Sequence, residues 1–123
     1  MRILIVDDDP IQSKMYKLAL VHDGHDVDRA DSGEEALTYN WTHYDMVVVD
    51  LLMPVLDGRN TIYKARRKWG NRLPKVILFT ASPHNLVKNF PTADPVYLKG
   101  GRVEGVLETL RTAVETAHCG TAK

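Results

Sequence analysis

The chain has 123 residues, enough for one domain whose core needs no disulfide or structural metal. Its 16 basic and 16 acidic side chains cancel, so it lacks the positive excess that direct binding to nucleic acid or to an anionic membrane requires. The only cysteine, Cys119, excludes an internal disulfide and fits a reducing compartment. No apolar stretch approaches the roughly 20 residues of a membrane-spanning helix, and we expect a cytoplasmic protein.

The first predicted elements are a strand and a helix. Residues 3–6 form a short apolar run that stops at three successive aspartates, residues 7–9. Pro10 suits the first turn of a helix that Asp9 caps, and Gly24 suits its end. Three apolar side chains at helical spacing are predicted to face the core: Ile11, Met15 and Leu18.

Two further strands are predicted before the middle of the chain. The weak alternation of residues 25–30 is typical of an edge strand. Ser32 and Glu35 then have the spacing of a capping box, which predicts the start of a short helix. Residues 46–49 are all apolar and three of them are β-branched, which indicates a strand buried on both faces of a parallel sheet. This strand ends at Asp50.

A constrained loop and a helix follow Asp50. Residues 51–58 are predicted to form the loop, because Pro54 disfavours helix in the residue before it and the Asp57-Gly58 pair is a turn signal. Residues 60–69 are predicted to form a helix whose inner face carries Ile62, Ala65 and Trp69.

The last third of the chain contains two more predicted strands. Residues 76–79 form a buried strand that ends at Thr80, and residues 96–98 form a brief strand that ends at Lys99. Any helix between them is short and covers residues 85–90. A long final helix carries apolar side chains at helical intervals: Val103, Val106, Leu107, Leu110 and Val114.

Strands that alternate with helices predict an α/β fold. The arrangement is a doubly wound, flavodoxin-like, five-stranded parallel sheet with right-handed crossovers and helices on both faces. We predict a single domain over residues 1–118 and a short C-terminal tail over residues 119–123.

Several polar side chains fall where predicted strands end, and the parallel sheet gathers them at one edge: Asp7, Asp8, Asp50, Thr80 and Lys99. Two carboxylates about 5 Å apart repel by roughly 3 kcal/mol at an effective dielectric constant near 20, so the three acids require a cation. Oxygen ligands suit Mg²⁺. With the metal, the lysine and the threonine beside it, Asp50 is suited to attack phosphorus and form an acyl phosphate.

The spaced motifs together resemble a receiver domain of two-component response regulators. They are LIVDDD at residues 4–9, DLLMPVLDG at residues 50–58, Thr80-Ala81 and Lys99. The resemblance implies the CheY-like fold and transfer of a phosphoryl group from a histidine kinase or a histidine phosphotransfer protein to Asp50. It also implies a signalling switch that at most phosphorylates and dephosphorylates itself, with an unidentified downstream protein as its target.

The resemblance further assigns a role to each site residue. Asp8, Asp50 and the backbone carbonyl of Leu52 would bind Mg²⁺ directly, and Asp7 would act mainly through metal-bound water. Lys99 would pair with the phosphoryl oxygens. Thr80 would move to hydrogen-bond the phosphoryl group and so change a partner-binding surface.

The sequence departs from the family pattern around the last strand. The family usually has a proline after the lysine, joined by a cis peptide bond, but here Gly100 follows Lys99. A cis peptide bond before a residue other than proline costs about 3 kcal/mol. Val96 occupies the usual position of an aromatic switch residue, and Tyr97 comes one place later. The segment between Thr80 and Val96 is about one helical turn shorter than usual.

Two alternative functions remain open at this stage. Asp7 after an apolar strand resembles the nucleophile of haloacid-dehalogenase-like phosphatases, although Ile11 does not match that motif and a cap domain has no room. The departures near Gly100 suit an adaptor that resembles a receiver and is not phosphorylated. A flavin binder is disfavoured, because residues 7–9 would repel the flavin phosphate.

Overall fold

The computed structural model describes residues 1–50, 53, 55–80, 96–98 and 103–121. These residues form strands β1 (Arg2–Val6), β2 (Asp26–Ala30), β3 (Met46–Val49), β4 (Lys75–Thr80) and β5 (Val96–Leu98). The α-helices in this part of the chain are α1 (Pro10–His22), α2 (Gly33–Ala36), α3 (Gly58–Trp69) and α4 (Val103–Thr121). Single 3₁₀ turns occupy Trp41–His43 and Gly70–Arg72.

The five strands form one sheet in the order β2-β1-β3-β4-β5, and every neighbouring pair is parallel. This confirms the predicted doubly wound five-stranded sheet. The chain reverses its direction of winding between β1 and β3, which are neighbours in the sheet although β2 separates them in sequence. In open α/β sheets, the crevice beyond the carboxyl ends of the strands at such a switch point is where ligands bind.

Two apolar layers cover the two faces of the sheet. Alternate residues of each strand point to opposite faces, so Leu4 and Val6 join one layer while Ile3 and Ile5 join the other. The first layer packs against α2, α3 and the turn at Trp41, whose indole stacks on Trp69 with ring centroids 5.7 Å apart. The second layer packs against α1 and α4. The predicted inner residues of α3 are buried: Ile62, Ala65 and Trp69.

The predicted helix signals are mostly confirmed. The Asp9 carboxylate accepts hydrogen bonds from the backbone N–H groups of Ile11 and Gln12, and Gly24 follows α1 with a φ of 96°. Ser32 Oγ accepts from the Glu35 N–H at 3.0 Å. The Glu35 carboxylate, however, accepts from the N–H of Asp31, one residue before the cap that the capping-box prediction specifies.

The predicted inner face of α1 is wrong. Ile11 is 72% exposed and Leu18 is 71% exposed, whereas the buried side chains of this helix are Ser13, Tyr16, Ala19 and Leu20. The stripe from residue 11 to residue 18 and the stripe from residue 13 to residue 20 both have helical spacing. The aromatic ring of Tyr16 fills more of the core than Met15 can, and it packs edge-on against Phe79 at 5.6 Å.

The end of the chain differs slightly from the prediction. Helix α4 continues to Thr121, so its backbone extends three residues into the segment predicted as a tail from residue 119. Leu110 and Val114 are buried as predicted, and the domain boundary at residue 118 stays a prediction.

The predicted helix over residues 85–90 lies outside the described residues. Within those residues, no helix is both long and apolar enough to cross a membrane.

Candidate functional site

The two strands at the switch point deliver the predicted acids to the same edge of the sheet. Asp7 and Asp8 directly follow β1, and Asp50 directly follows β3. The sheet hydrogen bonding continues one residue past each strand: the N–H of Asp7 donates to Ala30 O at 3.1 Å, and the N–H of Asp50 donates to Val6 O at 2.9 Å. These bonds hold the backbone of both acids to rigid neighbours.

Carboxylate oxygens of Asp7, Asp8 and Asp50 all lie within 4.8 Å of one another. Asp7 is only 2% exposed, Asp50 is half-buried and Asp8 is exposed, so the cluster runs from the interior to solvent. Solvent therefore reaches the cluster from the Asp8 side. The structure thus confirms that these three carboxylates converge, as predicted.

Thr80 is the last residue of β4, next to β3 in the sheet, and it is buried at the same edge. The predicted positions of Lys99 and Leu52 lie outside the described residues, as do Gly100 and the segment from residue 81 to residue 95. Of Val96 and Tyr97 only the backbone, in β5, is described. The structure thus brings together three of the predicted acids and places Thr80 on the adjoining strand.

The start of α1 orients one of the acids. The backbone N–H of Asp9 donates to Asp7 Oδ1 at 2.9 Å, while the Asp9 carboxylate caps the helix. Asp7 is therefore fixed by the peptide that begins α1. The sequence predicts only the capping role of Asp9, because the donor to Asp7 is a backbone N–H and every residue except proline has one.

The loop after Asp50 is fixed at several points. Met53 is buried in the core layer below α3, and the Asp57 carboxylate caps that helix by accepting from the N–H of Asn60 at 2.8 Å. Between them Val55 has a φ of 65°, which is strained for a β-branched residue, and its side chain is 92% exposed. Gly33 lies against Leu56, where an added Cβ would come within 2.9 Å of the carbonyl oxygen.

The acid cluster has the chemistry of a magnesium site. Its ligand atoms are all hard carboxylate oxygens, the type that Mg²⁺ prefers. Two ligands at about 2.1 Å from one Mg²⁺ ion lie at most about 4.2 Å apart. A cluster within 4.8 Å therefore needs only a small contraction, or one ligand acting through water, to bind the ion.

Comparisons with known proteins agree with this geometry. The profile of the family described as "Response regulator receiver domain" matches residues 3–90. Response regulator RppA of Synechocystis sp. is 36% identical over 103 residues, which are 80% of this chain and 43% of RppA. The chain spans less than half the length of the first curated relatives that it matches.

Solved structures show the same similarity. Response regulator protein TrrA from Thermotoga maritima, solved in complex with Mg²⁺-BeF, is 31% identical with a TM-score of 0.75, and the alignment covers 94% of this chain and 97% of TrrA. TrrA in complex with the histidine kinase ThkA gives 30% identity, a TM-score of 0.71 and the same coverage.

Proposed function

The chain belongs to the response regulator receiver domain family, and from that premise we propose that Asp50 is its phosphoacceptor. The observation that carries the proposal is the carboxylate cluster of Asp7, Asp8 and Asp50 at the switch point of the sheet. Family membership also favours this function over the phosphatase-like and adaptor alternatives.

The acids around Asp50 would hold Mg²⁺. Asp8, Asp50 and the carbonyl of Leu52 would be direct ligands, and Asp7 would act through metal-bound water. When bound, the ion supplies positive charge against the phosphoryl oxygens. The hard oxygen ligands and their spacing within 4.8 Å support this assignment.

In the proposed reaction, an oxygen of the Asp50 carboxylate attacks the phosphorus of the donor. A new O–P bond forms on Asp50, and the bond between phosphorus and the donor breaks, so that the electron pair leaves with the donor. Thr80 would donate a hydrogen bond to the phosphoryl group, and Lys99 would pair with its charge. Thr80 is already buried at the end of the strand beside β3.

We propose a histidine kinase or a histidine phosphotransfer protein as the donor, in keeping with the ThkA–TrrA complex. The product is then a phosphorylated state that changes binding to a downstream protein, and no metabolite is released. Nucleic acid and membrane are not expected as direct partners, because the chain has no net charge.

The first prediction concerns phosphorylation by a small acyl phosphate. Wild-type protein incubated with Mg²⁺ and acetyl phosphate should gain the mass of one phosphoryl group, and Asp50→Asn should gain none, because an amide oxygen is a poor nucleophile. Intact-mass spectrometry measures both. Asp45→Asn is the matched control: Asp45 precedes β3 at its opposite end, and its carboxylate accepts from the Arg2 N–H at 2.8 Å, a role that asparagine retains.

Equal labelling of wild type and Asp50→Asn would place the phosphoacceptor elsewhere. The phosphatase alternative makes a distinct prediction for the same variants. Steady turnover of a phosphomonoester that persists in Asp50→Asn and disappears in Asp7→Asn would assign the nucleophile to Asp7.

A further inference from the structure

Helix α1 is attached to the rest of the molecule by an arginine near each end. Near its start, Arg29 Nη1 of strand β2 donates to Ser13 Oγ at 2.8 Å. Just past its end, Arg111 Nε of α4 donates to the Asp23 carboxylate at 2.9 Å. The two attachments differ in their distance from the acid cluster, because only the first lies in the turns of α1 that follow Asp7 and Asp8.

The attachment near the start of α1 is well buried. Ser13 is 0% exposed, and its Oγ also donates to the carbonyl oxygen of Pro10 at 3.4 Å. The Arg29 side chain is 23% exposed and lies 3.5 Å from the Asp31 carboxylate. A serine inside a helix is ordinary, and so is an arginine in an edge strand, so neither residue suggested a function in the sequence.

Hydrogen bonds connect this attachment to the acid cluster. Arg29 holds Ser13, and Ser13 contacts the carbonyl of Pro10 in the first turn of α1. The residue before Pro10 is Asp9, whose N–H donates to Asp7 Oδ1 at 2.9 Å. Any movement of the first turn of α1 therefore moves the donor that orients the Asp7 carboxylate.

We propose that Arg29 and Ser13 are positioning residues for the divalent cation site. They fix the first turn of α1, and through the Asp9 N–H they hold Asp7 in the orientation that the cation requires. The proposal rests on the proposed function only in taking the cluster of Asp7, Asp8 and Asp50 as a Mg²⁺ site. Mutation of a residue that hydrogen-bonds to a metal ligand typically lowers metal affinity 10- to 100-fold. Mutation of a pair that acts through an intervening turn should lower it less.

The test is the Mg²⁺ dissociation constant of the whole chain, measured by isothermal titration calorimetry with MgCl₂. Ser13→Ala and Arg29→Met should each weaken binding about 3- to 10-fold, below the range of direct ligand partners. The double variant should bind no more weakly than the weaker single variant, because both changes remove the same contact.

The sign of the effect separates positioning from simple electrostatics. Arg29 carries a positive charge on the strand next to β1, so by Coulomb's law alone its removal would strengthen cation binding. Ser13→Ala changes no charge at all. A weaker affinity in both variants therefore requires a change in the geometry of the acids.

Arg111→Met is the matched control for stability. It removes an arginine attachment of α1 at the far end from the acids. Thermal unfolding should show a loss of stability in Arg111→Met, whereas its Mg²⁺ dissociation constant should stay within twofold of wild type. A purely structural role for Arg29 would give the same result in Arg29→Met as in Arg111→Met.

Each outcome of the titration has a defined meaning. Wild type that binds no Mg²⁺ would overturn the proposed function itself. Wild type that binds Mg²⁺ while Ser13→Ala and Arg29→Met bind equally well or more tightly would overturn the positioning role and leave the proposed function standing. Equal weakening in Arg111→Met would show that affinity follows global stability and would also overturn the positioning role.

Discussion

Two groups of aspartates in this fold have different surroundings. In the first group, acids pair with basic groups: Asp23, before the amino-terminal end of β2, with Arg111 at 2.9 Å, and Asp28, in the middle of β2, with Arg2 at 3.8 Å. In the second group, beyond the carboxyl-terminal ends of β1 and β3, carboxylate oxygens of Asp7, Asp8 and Asp50 lie within 4.8 Å of one another. Opposite charges in contact attract each other, whereas carboxylates this close repel one another, and a bound cation would offset that repulsion.

Tyr44 strengthens the contrast. Its hydroxyl donates to Asp28 at 2.6 Å, and the Arg2 guanidinium lies 5.1 Å from its ring centroid. Burial, together with the hydrogen bond to Asp28, raises the pKa of the Tyr44 phenol, so the group stays neutral and continues to donate. Asp28 thus accepts from a hydroxyl and pairs with a guanidinium, whereas the carboxylates of Asp7, Asp8 and Asp50 are close enough to share a ligand.

The largest effect is expected from adding a methyl group against Leu56, in the loop that follows Asp50. In Gly33→Ala the new Cβ would overlap Thr61 Oγ1 and lie 2.9 Å from the Leu56 carbonyl oxygen. The free energy of unfolding should fall by about 1–3 kcal/mol, as for other overpacked sites. Mg²⁺ binding should also weaken, because Leu56 belongs to the loop that follows Asp50. Urea unfolding and calorimetric titration measure the two effects.

Gly24→Ala is the matched change at the other end of the sheet. Gly24 has a φ of 96° and open space around its Cα, so alanine there strains the backbone without pushing on a neighbour. It should lower stability by about 1 kcal/mol and leave Mg²⁺ affinity unchanged. Equal loss of affinity in both variants would mean that the two ends of the sheet are not independent.

The second effect is a change in the free energy of unfolding that has opposite sign for the same Asp→Asn substitution at two positions. Without Mg²⁺, Asp8→Asn should raise the free energy of unfolding by about 1 kcal/mol, since it removes repulsion within the acid cluster. Asp28→Asn should lower it by about 0.5 kcal/mol, since it weakens a half-exposed ion pair with Arg2. Urea unfolding in EDTA, followed by the fluorescence of buried Trp41 and Trp69, compares them.

Adding Mg²⁺ should then distinguish the two variants by how much stability each one gains. A ligand that binds only the folded state stabilises it, so wild type and Asp28→Asn should both gain stability, while Asp8→Asn should gain little. Two substitutions that shift stability in the same direction in EDTA would contradict the proposed difference between the two groups of aspartates.

The site was predictable because its position depends on strand ends. A buried run such as residues 46–49 predicts a strand without knowledge of its neighbours, and parallel order places the next residue, Asp50, at the edge that also holds Asp7. The edge was thus predictable from local patterns together with one rule of topology. Thr80 at the end of β4 followed in the same way.

Choices between equivalent local patterns were not predictable. Helix α1 offers two apolar stripes of helical spacing, and the stripe that contains Tyr16 and Leu20 is the buried one because it faces Phe79 and α4. That choice depends on partners that are distant in sequence. The contact between Arg29 and Ser13 also escaped prediction, since it joins a strand to a helix through ordinary residues.

The smallest effect concerns backbone conformation in the loop after Asp50, which the sequence predicted only as constrained. Val55 has a φ of 65°, and the left-handed region costs an L-residue about 1–2 kcal/mol. Asparagine tolerates this conformation better than valine does. Val55→Asn should therefore raise the free energy of unfolding by about 0.5–1 kcal/mol in urea, without loss of packing, because the side chain is exposed.

Val55→Ile is the matched control, because isoleucine is also β-branched and meets the same backbone penalty. It should leave stability unchanged, so a gain in both variants would point to side-chain solvation rather than to φ. The comparison matters for the acid cluster, because strain next to a functional site is usually retained for function. If Val55→Asn gains stability while phosphorylation of Asp50 slows, the strained loop contributes to the reaction; if phosphorylation is unchanged, the strain is incidental to it.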